Sequence, residues 1–150
     1  MIEKKLILTL MVGFFLNGCG FHTPYKEKVV NLEIVGEQSS MFATKIKQKL
    51  NKNIENSYLV HLSNETKKNY AASFNNDGSE SGINVFYSID VNVVDRDNKS
   101  VFKKKISAND YLRKLNDVNI DGSLIEEKYY ELADTLASNF IRQLIVMNED

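Results

Sequence analysis

Nucleophilic or metal chemistry would have to draw on a small set of side chains here. Cys19 is the only thiol in the 150 residues, and His22 and His61 are the only imidazoles. A catalytic triad needs a base held between a nucleophile and an orienting carboxylate. His61 lies inside an apolar, β-branched run, His22 lies three residues after Cys19, and no G-x-S-x-G motif is present. Gly78 and Gly82 match neither G-x-G-x-x-G nor G-x-x-x-x-G-K, so a phosphate cradle has no sequence basis. Two carboxylate pairs, Asp95/Asp97 and Glu126/Glu127, fall in a turn and in a first helical turn, where acids serve turn hydrogen bonds and the helix dipole. One cysteine and two histidines are a poor ligand supply for zinc. The expectation is a protein with no enzymatic activity, no metal and no cofactor. The compact charged motif is Lys103-Lys104-Lys105, with Arg113 and Lys114 nine to ten residues beyond its middle. It reads either as an anion-binding face or as lysines that discourage edge-to-edge strand pairing.

Cys19 has its own context. Lys4 and Lys5 precede an uncharged apolar run, Leu6 to Leu16, which is too short for a permanent helical span of about 20 residues and fits the apolar region of a secretory leader. Leu16-Asn17-Gly18-Cys19 resembles the bacterial lipoprotein cleavage box. That resemblance implies removal of residues 1–18 and a diacylglycerol thioether on Cys19, the only covalent group expected. Each buried CH₂ contributes about 0.8 kcal/mol and two or more chains hold stably, so such a protein is membrane-anchored. Gly20, where Asp would favour retention at the inner membrane, points to the outer membrane and its periplasmic side.

Lys and Arg number 19 and Asp and Glu 20, a net charge of -1 that argues against a nucleic-acid partner. With 43% apolar and 26% charged residues the chain has the composition of a globular domain. Residues 19–28, which include the single proline Pro24, read as a tether, and residues 29–150 as one domain. Val29 to Val35 predicts a first strand ending at Gly36. Ser39-Ser40 offers an N-cap, and Phe42, Ile46 and Leu50 mark an amphipathic helix. Ser57 to Ser63 predicts a second strand. From Ile83 to Asp95 six consecutive odd positions are apolar and four of six even ones polar, the period of a half-buried strand. Asp97-Asn98-Lys99 turns it into Val101 to Leu112, whose alternation sets Lys103 and Lys105 opposite Phe102, Lys104, Ile106 and Ala108. Asn75 to Gly82 reads as a mobile loop and Asn116 to Gly122 as another. Ser123 with Glu126 forms a capping box. A long amphipathic helix follows, with Ile125, Tyr129, Leu132, Leu136, Phe140 and Leu144 on one face. The order β-α-β-β-β-α predicts an α+β domain with helices segregated to one face of a mixed or antiparallel sheet.

Cys19-Gly20-Phe21-His22, this element order, Val85-Phe86-Tyr87-Ser88-Ile89 at the head of the hairpin, Tyr129-Tyr130-Glu131-Leu132-Ala133 and Ile141-Arg142-Gln143-Leu144 together resemble the lipopolysaccharide-assembly lipoprotein family LptE. The resemblance implies a two-layer sandwich of two helices on a four-stranded sheet. It also implies a non-enzymatic role as plug and assembly factor of the outer-membrane β-barrel LptD, and a place in the barrel lumen. The family often places basic residues in the loop before the hairpin, for contact with lipopolysaccharide. Here Asn75 to Glu80 has none, which leaves Lys103, Lys105, Arg113 and Lys114 as the lipopolysaccharide-binding candidates. A lipid-anchored periplasmic binding module with an unrelated partner is the alternative, and an anchored hydrolase, for which no nucleophile-base pair can be named, a weaker one.

Overall fold

A computed structural model describes residues 31–50, 55 and 58–147. The leader, Cys19, His22, the tether and Val29-Val30 lie outside the described residues. The elements are β1 (Leu32–Gly36), α1 (Met41–Lys49), β2 (Tyr58–Phe74), β3 (Glu80–Val94), β4 (Ser100–Arg113) and α2 (Val118–Met147). They form one four-stranded sheet in the order β1-β2-β3-β4. β1 and β2 are parallel, joined through α1, and the other pairings are antiparallel. This is the expected α+β sandwich, with a mixed sheet.

The odd face of β3 is the platform. Val85, Tyr87, Ile89 and Val93 have no solvent exposure, and Ile83 and Val91 have almost none. Phe42 and Ile46 of α1 and Tyr129, Leu132, Leu136, Phe140 and Leu144 of α2 join them in one core. The Phe140 ring lies 5.7 Å from Phe42 and 5.9 Å from Phe102, so α1, α2 and β4 meet at one side chain. At about 1.5 to 3 kcal/mol per large apolar side chain, the buried face of α2 is a main source of stability. Gly36, at φ +92, ends β1 where a Cβ would collide with the Leu62 carbonyl.

Three expectations are corrected. β2 does not stop at Ser63 but runs to Phe74. A register shift between Ser63 and Thr66, with Asn64 at φ 58, breaks its pattern. Beyond the shift, two residues that face α2, Lys67 and Asn69, are polar. Lys67 Nζ lies 5.6 Å from the Tyr129 ring and 3.7 Å from Glu126, and the Asn69 amide donates to the Tyr129 hydroxyl at 3.3 Å. Asn75 to Gly82 is not a mobile loop. Glu80 to Gly82 belong to β3, and Asn75 to Ser79 is a tight turn closed by Asn75 N–H to the Ser79 carbonyl (2.8 Å) and Gly78 N–H to the Asn75 carbonyl (3.0 Å). The Ser79 hydroxyl and N–H both donate to Asp77, holding its carboxyl below the usual aspartate range. Finally, α2 begins at Val118, five residues before Ser123. Its cap is Asp117, whose carboxylate accepts from the N–H groups of Asn119 and Ile120 at 3.0 and 3.1 Å. Ser123 lies inside the helix and its hydroxyl donates to the Asn119 carbonyl.

Candidate functional site

Since both helices cover the odd face, the even face of the sheet is left uncovered. Pairing aligns its side chains in rows. His61 of β2, Asn92 of β3 and Lys103 of β4 form one row, and Ser63, Asp90 and Lys105 the next. The two rows and Asn64 line an open depression of about 800 Å³. Asp90 accepts a 2.8 Å hydrogen bond from Asn64 Nδ2, an arrangement that depends on the left-handed backbone of Asn64. Two ammonium groups, an imidazole, two amides and a hydroxyl are therefore presented together with one carboxylate. Such a surface can hold an anionic, hydroxyl-rich group through charge and hydrogen bonds. Nucleophilic catalysis would need a base bonded to its nucleophile. Among the described residues, no hydrogen bond links His61 to Ser63 or to Asp90.

The four basic candidates are not brought together. Lys103 and Lys105 share the uncovered face near the start of β4, while Arg113 stands opposite Gly82 at its end. Eight strand residues at about 3.3 Å each put the two groups roughly 26 Å apart. Lys114 Nζ is already 3.0 Å from Glu80 Oε2, which neutralises it. Tyr111 covers Gly82 beside Arg113, and a Cβ at Gly82 would collide with the Tyr111 ring. The Tyr111 hydroxyl is 3.0 Å from that of Ser73. Tyr70 and Tyr111, both half exposed, flank Asn84 on the same face.

A second polar centre was not legible in the sequence. Glu65, turned inward after the register shift, accepts from the Met41 N–H at 2.9 Å and from the Tyr87 hydroxyl. The Phe42 N–H donates to the Tyr87 hydroxyl at 3.1 Å, and the Glu65 N–H donates to Glu37 at 2.9 Å. Burial first, and then the bond to Glu65, push the Tyr87 phenol well above the ordinary tyrosine value. With Ser40 capping Ala43 N–H at 3.0 Å, this cluster satisfies the first N–H groups of α1. Its role is to seat α1 on β2 and β3. At the other edge of the core, Lys128 bridges Asp110 of β4 (3.2 Å) and Glu131 (2.6 Å). The two carboxylates, Glu131 foremost, raise the Lys128 pKa, and Lys128 in turn lowers that of Asp110.

Among the described residues no helix is long and apolar enough to cross a membrane, and no group of three His, Cys, Asp or Glu side chains is placed to hold a metal. The sequence matches no family model and no curated protein. The fold does have solved counterparts. It is similar to the rare lipoprotein B of Shewanella oneidensis, at TM-score 0.65 and 12% identity over 80% of this chain and 95% of that one. Lipoprotein B of Nitrosomonas europaea gives 0.58 and 12% over 77% and 82%. A minor lipoprotein of Acinetobacter baumannii gives 0.56 and 16% over 77% and 89%. At these identities the likeness is one of fold.

Proposed function

We propose that this protein is a lipid-anchored lipoprotein of the outer membrane, held by Cys19 on the periplasmic side, and that it acts without catalysis as plug and assembly factor of the LptD β-barrel in lipopolysaccharide transport. The observation that carries this reading is the uncovered sheet face. Strands of 14 to 17 residues at about 3.3 Å each form a slab roughly 45 to 55 Å long, polar on one side and backed by helices on the other. A wide barrel leaves an aqueous lumen, and a rigid slab of this kind fills it through many modest polar contacts. The likeness to bacterial lipoprotein folds and the Leu16-Asn17-Gly18-Cys19 box support the anchor. Lys103 and Lys105, with Asn64 and Asn92 beside them, are the pair best arranged for lipopolysaccharide phosphates. Arg113 and Lys114 supply at most a separate contact at the far end.

The assembly role is tested by depletion. As the protein is depleted, the barrel partner should lose its folded, heat-modifiable form and surface lipopolysaccharide should fall with it. A barrel that folds normally without this protein would favour the alternative, an anchored binding module with an unrelated partner.

A further inference from the structure

β4 is the last strand of the sheet and has 14 residues, whereas β1 at the other edge has five. One side of β4 pairs with β3. Every second residue on the other side directs its N–H and C=O away from the sheet, the template that an added strand uses. Along its first half this edge runs beside α2. Between them lies a groove of about 270 Å³, floored by Ile106, Leu136 and Phe140 and rimmed by Lys104, Asn139 and Gln143. Lys103, Lys104 and Lys105 are all solvent-exposed, and among the described residues none of them forms an ion pair.

We propose that the β4 edge and the β4–α2 groove take an extended acidic segment of another polypeptide as a fifth strand. The alternation of a strand dictates what that segment must look like. Its side chains on the helix side fall over Ile106, Leu136 and Phe140 and must be apolar. Those on the uncovered side stand next to Lys103 and Lys105 and must be acidic. The same lysines repel basic edges and would be left without a counter-charge beside neutral ones, which gives selectivity as well as affinity. A second copy paired antiparallel about Lys104 would set lysine against lysine, so self-pairing in that register is disfavoured. The inference is independent of the barrel reading, because it needs only this edge, this groove and these charges.

The test uses the full-length protein in detergent micelles and a fluorescent peptide of about ten residues that alternates Val and Glu. Anisotropy should report saturable binding, and a peptide alternating Val and Lys should not bind. Lys103→Glu with Lys105→Glu, both at exposed positions, should weaken the acidic peptide about tenfold or more, roughly 1.4 kcal/mol. Two further peptides are N-methylated on every Val amide or on every Glu amide. Only the set facing β4 should lose binding, because only those amides donate to the edge. Equal behaviour of the two methylated peptides, indifference to the lysine reversal, or no saturation up to about 1 mM would overturn the proposal. So would a concentration-dependent dimer that occupies the edge itself.

Discussion

Individual residues do two kinds of work in this protein, and they separate by face. On the covered side Tyr87 accepts from the Phe42 N–H and donates to Glu65. Tyr87→Phe would leave that buried N–H unpaired, and a lost buried partner costs about 1 to 3 kcal/mol. Urea unfolding should show that loss with no change in secondary structure. The raised Tyr87 pKa has a defined pH consequence. The folded state resists deprotonation while the unfolded chain ionises near the ordinary value of 10.0, so stability should decline as pH rises above about 10. Thermal melts between pH 8 and about 11 should slope down more steeply for the native protein than for Tyr87→Phe. On the uncovered side Lys103 and Lys105 are solvent-exposed, and replacing both with Ala should leave stability within about 0.5 kcal/mol. The double change should weaken lipopolysaccharide binding measured in vitro. Unchanged affinity would remove lipopolysaccharide binding from the roles of this pair.

The elements show which parts of the sequence carry their own structure. α2 is the clearest case for a mutational comparison. Asp117→Ala removes the acceptor for two N-terminal N–H groups and should cost about 1 kcal/mol. Ser123→Ala, at an exposed site inside the helix, should cost less than about 0.5 kcal/mol in the same denaturation experiment. Ser123 and Glu126 match the capping-box spacing, yet Asp117 takes the cap because Asp121 also draws the preceding chain in, accepting from the Leu115 N–H at 2.8 Å. That contact is local but joins a side chain to a backbone N–H of the preceding loop, and it leaves no periodic trace. The 83–112 hairpin was legible because the covered face of its first strand, β3, is apolar at every second residue. The second half of β2 was not, since Lys67 and Asn69 face the helix and are satisfied by Glu126 and Tyr129, about sixty residues away in sequence. The candidate site was legible only in part. The lysine run is visible in the chain, but its company of His61, Asn64, Asp90 and Asn92 comes from strand register and a bulge. The Glu65–Tyr87 cluster depends on the same bulge.

At the scale of the whole molecule, a sheet covered on one face by two helices leaves its other, largely polar face open, and the proposed function sets that face against a barrel wall. The buried centre of the domain is held by apolar packing and the Glu65–Tyr87 cluster, so the uncovered face is free to carry charge and hydrogen-bonding groups without loss of stability. The account requires an anchor at Cys19, a barrel wall facing the sheet, and one protein per barrel. Native mass spectrometry of the protein extracted from outer membranes in mild detergent tests the anchor, the barrel partner and the stoichiometry in one spectrum. The predicted result is a one-to-one complex with a β-barrel protein, in which the released small subunit begins at Cys19 and carries the mass of a diacylglycerol and further acyl chains. A free subunit that retains residues 1–18, with an unmodified thiol and no barrel partner, would contradict it.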